Sequence, residues 1–259
     1  MRILRNGIGL AYEDAGSGDE SILLVHGWGM DRSVLEPLFE AFRTSHRVVS
    51  VDLCGFGESD AQSEPYTIHG YADDLVLWVR ELGLSRPIVI GHSMGGMIAL
   101  DFAARYPRET AAVVLLEAMV VASEAVRAGL DTMLEQIRRS DYRDYVAGLI
   151  TYLLGPHFDP VERARVVTLA ATAPQHSLVS ALEGIIAFDS ESAAANVKCP
   201  LLYVGTSTTY ADLARFKEIC PQLVTGQLVG CGHYFPLEVP DQLAPMVAHF
   251  IRRFASSAP

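Results

Sequence analysis

Short apolar runs alternate with amphipathic stretches along the first part of the chain. Ile22–Val25, Val48–Val51, Ile88–Ile90 and Ala112–Leu116 are rich in β-branched residues and carry almost no polar positions, and Leu201–Val204 resumes the pattern later. Between them, Ser33–Phe42, Tyr66–Leu82, Met94–Tyr106 and Ala211–Ile219 place apolar residues at helical spacing. A strand that is apolar throughout is buried on both faces. The alternation therefore predicts an α/β chain with a mostly parallel central sheet and helices on both faces. Gly7–Tyr12 reads as an antiparallel strand at the sheet edge, Gln227–Val229 as a further strand, and Pro240–Phe254 as a final helix.

The rhythm breaks between residues 120 and 196. Ala122–Arg139, Tyr142–Leu154, Pro160–Ala171 and Leu178–Phe188 are all helical in period, with Pro156, Pro160 and Pro174 between them. This predicts a core of residues 1–119 and 197–259 with a helical cap, 120–196, inserted in it. Ligands of open α/β sheets bind at the carboxyl ends of the strands, so a cap at that edge roofs the site. Only the Ala/Ser/Pro tail after Phe254 reads as frayed.

Composition adds limits. The chain has 259 residues, 50% of them hydrophobic and 20% charged, which fits one domain with an inserted subdomain. Its formal net charge of -11 repels nucleic acid and anionic membrane surfaces, and no Lys/Arg cluster offsets it. The expected partner is a neutral or weakly charged small molecule, with no nucleic acid and no membrane. No stretch has the length of a membrane span or the form of a leader. Cys54, Cys199, Cys220 and Cys231 lack the spacing of a zinc site and read as reduced thiols of a cytoplasmic protein. Neither a metal nor a cofactor is expected, and the oligomeric state is not readable.

The chemistry concentrates in two places. Gly91-His92-Ser93-Met94-Gly95 fits the G-x-S-x-G pattern, placed between an apolar run and a helical stretch. Small neighbours let the backbone bend sharply and present Ser93 at the top of the sheet. A serine hydroxyl is a weak nucleophile until a base takes its proton. His233, in Gly230-Cys231-Gly232-His233-Tyr234-Phe235 before the final helix, is the candidate base.

With His26-Gly27-Trp28-Gly29, Asp52-Leu53-Cys54-Gly55-Phe56-Gly57-Glu58-Ser59 and Gly96 added to these motifs, the chain resembles the α/β-hydrolase superfamily over residues 8–117 and 198–254. The resemblance implies catalysis by Ser93 and His233, with the backbone N–H groups of Trp28 and Met94 as the oxyanion hole. Asp52 and Ser59 match a loop-shaping motif and are left out of catalysis. At the position of the family's usual acid stands Thr208, in Gly205-Thr206-Ser207-Thr208, and Thr cannot steady an imidazolium. Glu117, at the end of Ala112–Leu116, resembles the acid site of some lactonases and haloalkane dehalogenases. Asp212 is the alternative acid. Glu117 is preferred, because a strand end is rigidly aimed and Asp212 has a simpler use at a helix start.

The leading expectation is a serine hydrolase acting on a small to medium apolar ester or lactone. Cofactor-independent dioxygenases and carbon–carbon bond hydrolases share similar motifs and offer a second reading through His233 and Glu117. A receptor with slow hydrolysis is a third. Carboxylate-nucleophile enzymes are disfavoured by Ser93. Leu134, Tyr145, Leu149, Tyr152, Leu153, Phe158, Ile185, Ile186 and Phe188 are equally suited to lining a pocket and to packing helices together, and about half are expected only to pack.

Overall fold

The computed structural model describes residues 1–122 and 124–255. The chain opens with Arg2–Arg5 (β1), Ile8–Ala15 (β2) and Ser21–Val25 (β3), followed by Glu36–Phe42 (α1) and Arg47–Val51 (β4). Ile68–Glu81 (α2), Ile88–His92 (β5), Met94–Arg105 (α3) and Ala112–Leu116 (β6) come next. Then Glu124–Ile137 (α4), Tyr142–Leu153 (α5), Pro160–Thr172 (α6), Gln175–Ala187 (α7) and Ser190–Asn196 (α8) follow without an intervening strand. Leu201–Gly205 (β7), Leu213–Ile219 (α9), Leu223–Gln227 (β8), Phe235–Glu238 (α10) and Pro240–Phe250 (α11) complete it, before a last turn at Ile251–Ala255.

The eight strands form one sheet in the order β1-β2-β4-β3-β5-β6-β7-β8. β1 and β2 are antiparallel to their neighbours, and β4, β3, β5, β6, β7 and β8 run parallel. Every residue of β3, β5, β6 and β7 is buried, as helices on both faces of a parallel sheet require. The chain leaves β3 for β4 on one side and returns to β5 on the other. The crevice between the carboxyl ends of β3 and β5 is therefore the switch point where such sheets hold ligands.

Polar caps set several helix starts. Thr67 accepts from the Gly70 N–H at 2.9 Å, so α2 starts at Ile68 instead of Tyr66. The Asp159 carboxylate accepts from the Val161 and Glu162 N–H groups ahead of α6. Asp212 does the same for α9 through the Arg215 N–H at 2.9 Å, which moves the expected start at Ala211 to Leu213.

Three expectations are corrected. The strand expected at the edge, Gly7–Tyr12, is the second one in, because β1 pairs outside it with Ile3 opposite Leu10. The strand expected at Gln227–Val229 lies at Leu223–Gln227, paired with β7 from Leu201↔Leu223 to Gly205↔Gln227. As an outer strand β8 keeps Thr225 and Gln227 exposed, so its hydrophobic signal is weak and the apolar pair Leu228-Val229 beyond it drew the assignment. Finally, α8 was not expected at all. It packs mainly against α3 and α9, whereas α4 packs with α7 and α5 with α6. The tail expected to fray lies, beyond Ala255, outside the described residues.

Glycine decides how closely these elements meet. A Cβ on Gly95 would overlap the carbonyl oxygens of Val25 and His26, so α3 sits directly on the end of β3. Gly148, in α5, has open space around it. We expect Gly95→Ala to lower stability by about 3 kcal/mol or to prevent folding, since the clash is with backbone. Gly148→Ala should raise stability by up to about 1 kcal/mol through helix propensity. Urea unfolding midpoints of both variants check the pair, and equal effects would contradict this packing.

Candidate active site

Ser93 stands alone between β5 and α3 with φ 53° and ψ -117°, a conformation few non-glycine residues adopt. Its N–H donates to Leu116 O at 2.9 Å, and its carbonyl accepts from the Gly96 N–H at 3.0 Å. A Cβ on Gly91 would overlap the Gly95 backbone, and one on Gly96 would overlap the Ala118 methyl group. Glycine at these positions lets the chain reverse beside β6 without steric conflict.

Two amides in the segments next to this bend have no hydrogen-bond partner among the described residues. Met94 is the first residue of α3, where helical amides lack an internal acceptor, and Trp28 lies in the loop after β3. Among the described residues neither backbone N–H donates a hydrogen bond. The Trp28 indole is fixed separately, its Nε1–H donating to Leu178 O of α7 at 2.8 Å.

His233 follows β8 in a tight turn. Its N–H donates to Leu153 O at 2.8 Å, at the end of α5. Its carbonyl lies 2.9 Å from His92 Nε2. A carbonyl only accepts, so His92 carries its proton on Nε2. The His233 ring packs against His92, with centroids 4.7 Å apart, and edge-on to Tyr210 at 5.6 Å. Burial, reinforced by His92, pushes the His233 imidazole well below its ordinary pKa, so it is neutral at rest. Burial also pulls His92 down to about 4.

Glu117 ends β6 at φ 46°, its N–H bonded to Val204 O at 2.8 Å. Its Oε2 accepts from the Thr206 N–H at 2.7 Å. Burial raises its pKa to about 7, against the opposing pull of its bonds from Thr206, Thr209 and Tyr210. Its other oxygen, Oε1, is buried with no partner, and so is His233 Nδ1. A carboxylate oxygen accepts and an imidazole N–H donates, so the two atoms are complementary in kind, and neither is bonded in this structure. Ser93 Oγ likewise makes no hydrogen bond among the described residues. Contacts of this kind commonly tighten only when substrate binds.

Ser93, His233, Glu117 and Trp28 all line one cavity of about 260 Å³. Asp212 does not line it: exposed at the surface, it caps α9. Thr208 is exposed as well. Of the helical residues weighed as lining, Leu149, Leu153 and Ile185 reach the cavity, while Tyr152 is 85% exposed. Met119, Leu130, Met133, Leu182 and Tyr210 also line it, and the sequence did not single them out. Only Tyr210 left a trace there, as an aromatic residue in an otherwise Thr-rich loop.

The other motif residues hold loops in place. The buried Asp52 carboxylate accepts from the Arg32 N–H at 2.8 Å and the Glu58 N–H at 2.9 Å, and it pairs with the Arg32 guanidinium. Ser59 donates to Asp52 O at 2.6 Å. His26 is fully buried, with Nδ1 2.8 Å from Gly27 O and Nε2 accepting from the Leu53 N–H at 3.0 Å. Among the described residues no His/Cys/Asp/Glu group is arranged to hold a metal, and no helix is long and apolar enough to cross a membrane.

Known proteins resemble this chain in sequence and fold. A 2-(acetamidomethylene)succinate hydrolase of Mesorhizobium japonicum is 27% identical over 262 residues, covering 94% of this chain and 92% of that protein. A thermophilic esterase from Thermogutta terrifontis superposes with a TM-score of 0.86 at 25% identity, over 98% of this chain and 99% of that one. An enol-lactonase from Burkholderia xenovorans shares the fold with a TM-score of 0.87 at 22% identity, over 98% and 100% of the two chains. The family description "alpha/beta hydrolase fold" matches residues 20–240, and the chain belongs to that family.

Proposed function

We propose that this chain is a serine hydrolase that cleaves a small to medium, uncharged ester or lactone through an acyl-enzyme at Ser93. One observation carries the reading. A serine held in a strained bend at the sheet's switch point shares a cavity with a neutral imidazole and a buried carboxyl group, beside two unused amide donors.

Each part has a role. Ser93 Oγ attacks the carbonyl carbon while His233 Nε2 takes its proton, and the carbonyl π electrons move onto oxygen. The Trp28 and Met94 N–H groups meet that oxyanion, each contributing about 3 kcal/mol to transition-state stabilisation. The intermediate collapses, and the departing alkoxide takes the proton from His233. Water then loses a proton to His233 and attacks the acyl carbon, and Ser93 Oγ leaves and regains its proton. Glu117, ionised and bonded to His233 Nδ1–H, orients the ring and steadies its cationic form without taking the proton itself.

The cavity supports the substrate class. Its described lining contains no Lys or Arg, so a buried carboxylate on the substrate finds no counter-charge. At about 260 Å³ it falls below the roughly 300–1,000 Å³ of drug-sized ligand sites. Helices α4, α5 and α7 supply much of the wall, which supports their reading as a cap that excludes long polymers. The esterase and enol-lactonase names among similar proteins agree with this class.

A fluorophosphonate should add one adduct per chain on Ser93, read by mass spectrometry of peptides, and none in Ser93→Ala. Turnover that survives in Ser93→Ala, or oxygen uptake with substrate, would instead favour proton abstraction by His233 without an acyl-enzyme. Glu117→Gln should lower kcat on a chromogenic short-chain ester by about 10²–10⁴-fold, while Asp212→Asn stays within about 2-fold of wild type. The reverse pattern would move the acid to Asp212.

The acid also sets the pH dependence. The competent form has Glu117 ionised, so kcat/KM should fall as pH drops through about 7, and Glu117→Gln should lose that step. Stability runs in the opposite direction. Native Glu117 keeps its proton up to about 7, whereas the unfolded carboxyl releases it near 4.5, so stability is lost as pH rises across that window. Relative to wild type, Glu117→Gln should gain about 3 kcal/mol between those limits. Urea titrations at pH 4.5 and 8 that show a constant difference would contradict the raised pKa.

A further inference from the structure

Two side chains outside the proposed triad hold the turn that carries His233, one at its own carbonyl and one at the amide of Gly232 before it, and the mechanism above uses neither. His92 is buried and immediately precedes Ser93. Its Nε2–H donates to His233 O at 2.9 Å. On the other side of the same Cα, the His233 N–H donates to Leu153 O at 2.8 Å. Both peptide groups flanking the residue are thus fixed, and with them the direction in which its Cβ leaves the backbone.

Glu238 reinforces the second attachment. Its Oε2 accepts from the Gly232 N–H at 2.9 Å, directly before His233, and from the Gly155 N–H at 3.1 Å. One carboxylate therefore bridges the His233 turn and the end of α5. Two glycines make room for it. A Cβ on Gly155 would overlap Glu238 Oε2, and a Cβ on Gly232 would come within 2.5 Å of both Gly155 N and Leu153 O. Main chains this close are joined by several bonds acting together, and losing one weakens the rest.

Resting on the proposed acyl-enzyme reading, we propose that His92 and Glu238 are positioning residues that clamp the main chain of His233 between the Ser93 bend and the end of α5. His92 fixes the base relative to the nucleophile. Glu238 fixes it relative to the helices over the cavity. Misplacing a catalytic group by about 1 Å costs on the order of 10²-fold in rate, so small slack in this clamp is enough to be measured.

The experiment compares His92→Leu and Glu238→Ala with the conservative His92→Gln and Glu238→Gln. Gln at 92 retains an N–H donor, and Gln at 238 retains a carbonyl acceptor. We expect the first pair to lower kcat by about 10–100-fold with KM changed less than about 3-fold, and the conservative pair to recover most of the loss. Fluorophosphonate labelling of Ser93 should slow in the same proportion. Hydrogen exchange at the His233 amide provides a readout that needs no turnover, and should quicken by about 10-fold or more in the first pair.

Kinetics and exchange within about 2-fold of wild type in His92→Leu and Glu238→Ala would overturn the clamp, as would conservative variants no better than the truncated ones. If His92→Leu does not fold, the Glu238 pair decides the matter, since that side chain is only partly buried. Failure of the acyl-enzyme reading shows separately, as absent labelling of wild type at Ser93. In that event the exchange rates still decide whether the clamp exists.

Discussion

The bend at Ser93 depends on main chains approaching one another more closely than side chains permit. α3 rests on the last carbonyls of β3, and Gly91 folds back against Gly95. A non-glycine residue at φ 53° is costly on its own, typically by about 1–3 kcal/mol. It persists because the surrounding contacts leave no alternative: the Ser93 N–H is held by β6, and its carbonyl already accepts from the first turn of α3. At the same bend the Met94 amide, the first of α3, has no acceptor among the described residues. The strain and the unpaired donor thus sit at one bend.

Glu117 shows a similar trade between stability and site. A carboxyl group buried at a strand end, with one oxygen bonded to Thr206 and the other to nothing, favours its neutral form. An apolar residue or an amide in its place relieves that cost. Its place in the lining of the cavity puts that cost where the proposed chemistry would use the carboxylate. The partly buried imidazole of His233 is likewise held in its uncharged form.

Much of this was legible in the sequence, for reasons that differ by element. β3, β5, β6 and β7 lie inside the sheet and are buried on both faces, so each appears as an unbroken apolar run. β8 lies at the margin, where Thr225 and Gln227 are exposed, so the stronger apolar signal falls just beyond it at Leu228-Val229. Ser93 stood out because glycines flank it in a compact pattern between a strand and a helix, and His233 because a serine nucleophile needs a base and the family resemblance points to that position. His92 and Glu238 gave no such signal. Their roles lie in bonds to main-chain atoms distant in sequence, and no local pattern records which carbonyl or amide will come within reach. Met119, Leu130 and Met133 were hidden differently, since a residue lining a cavity and one filling a core share the same periodicity.

Two of the bonds that fasten the helices over the cavity to the loops beneath them run through the indole of Trp28 and the amide of His233. In both cases the helical partner is a backbone carbonyl, of Leu178 and of Leu153. Every residue type has such an oxygen, so the fastening does not depend on which side chains the roof carries. Leu149, Leu153, Leu182 and Ile185 can therefore be exchanged for residues of other shapes while the attachments stay intact. A scaffold joined in this way can diversify what it admits and leave undisturbed the machinery beneath.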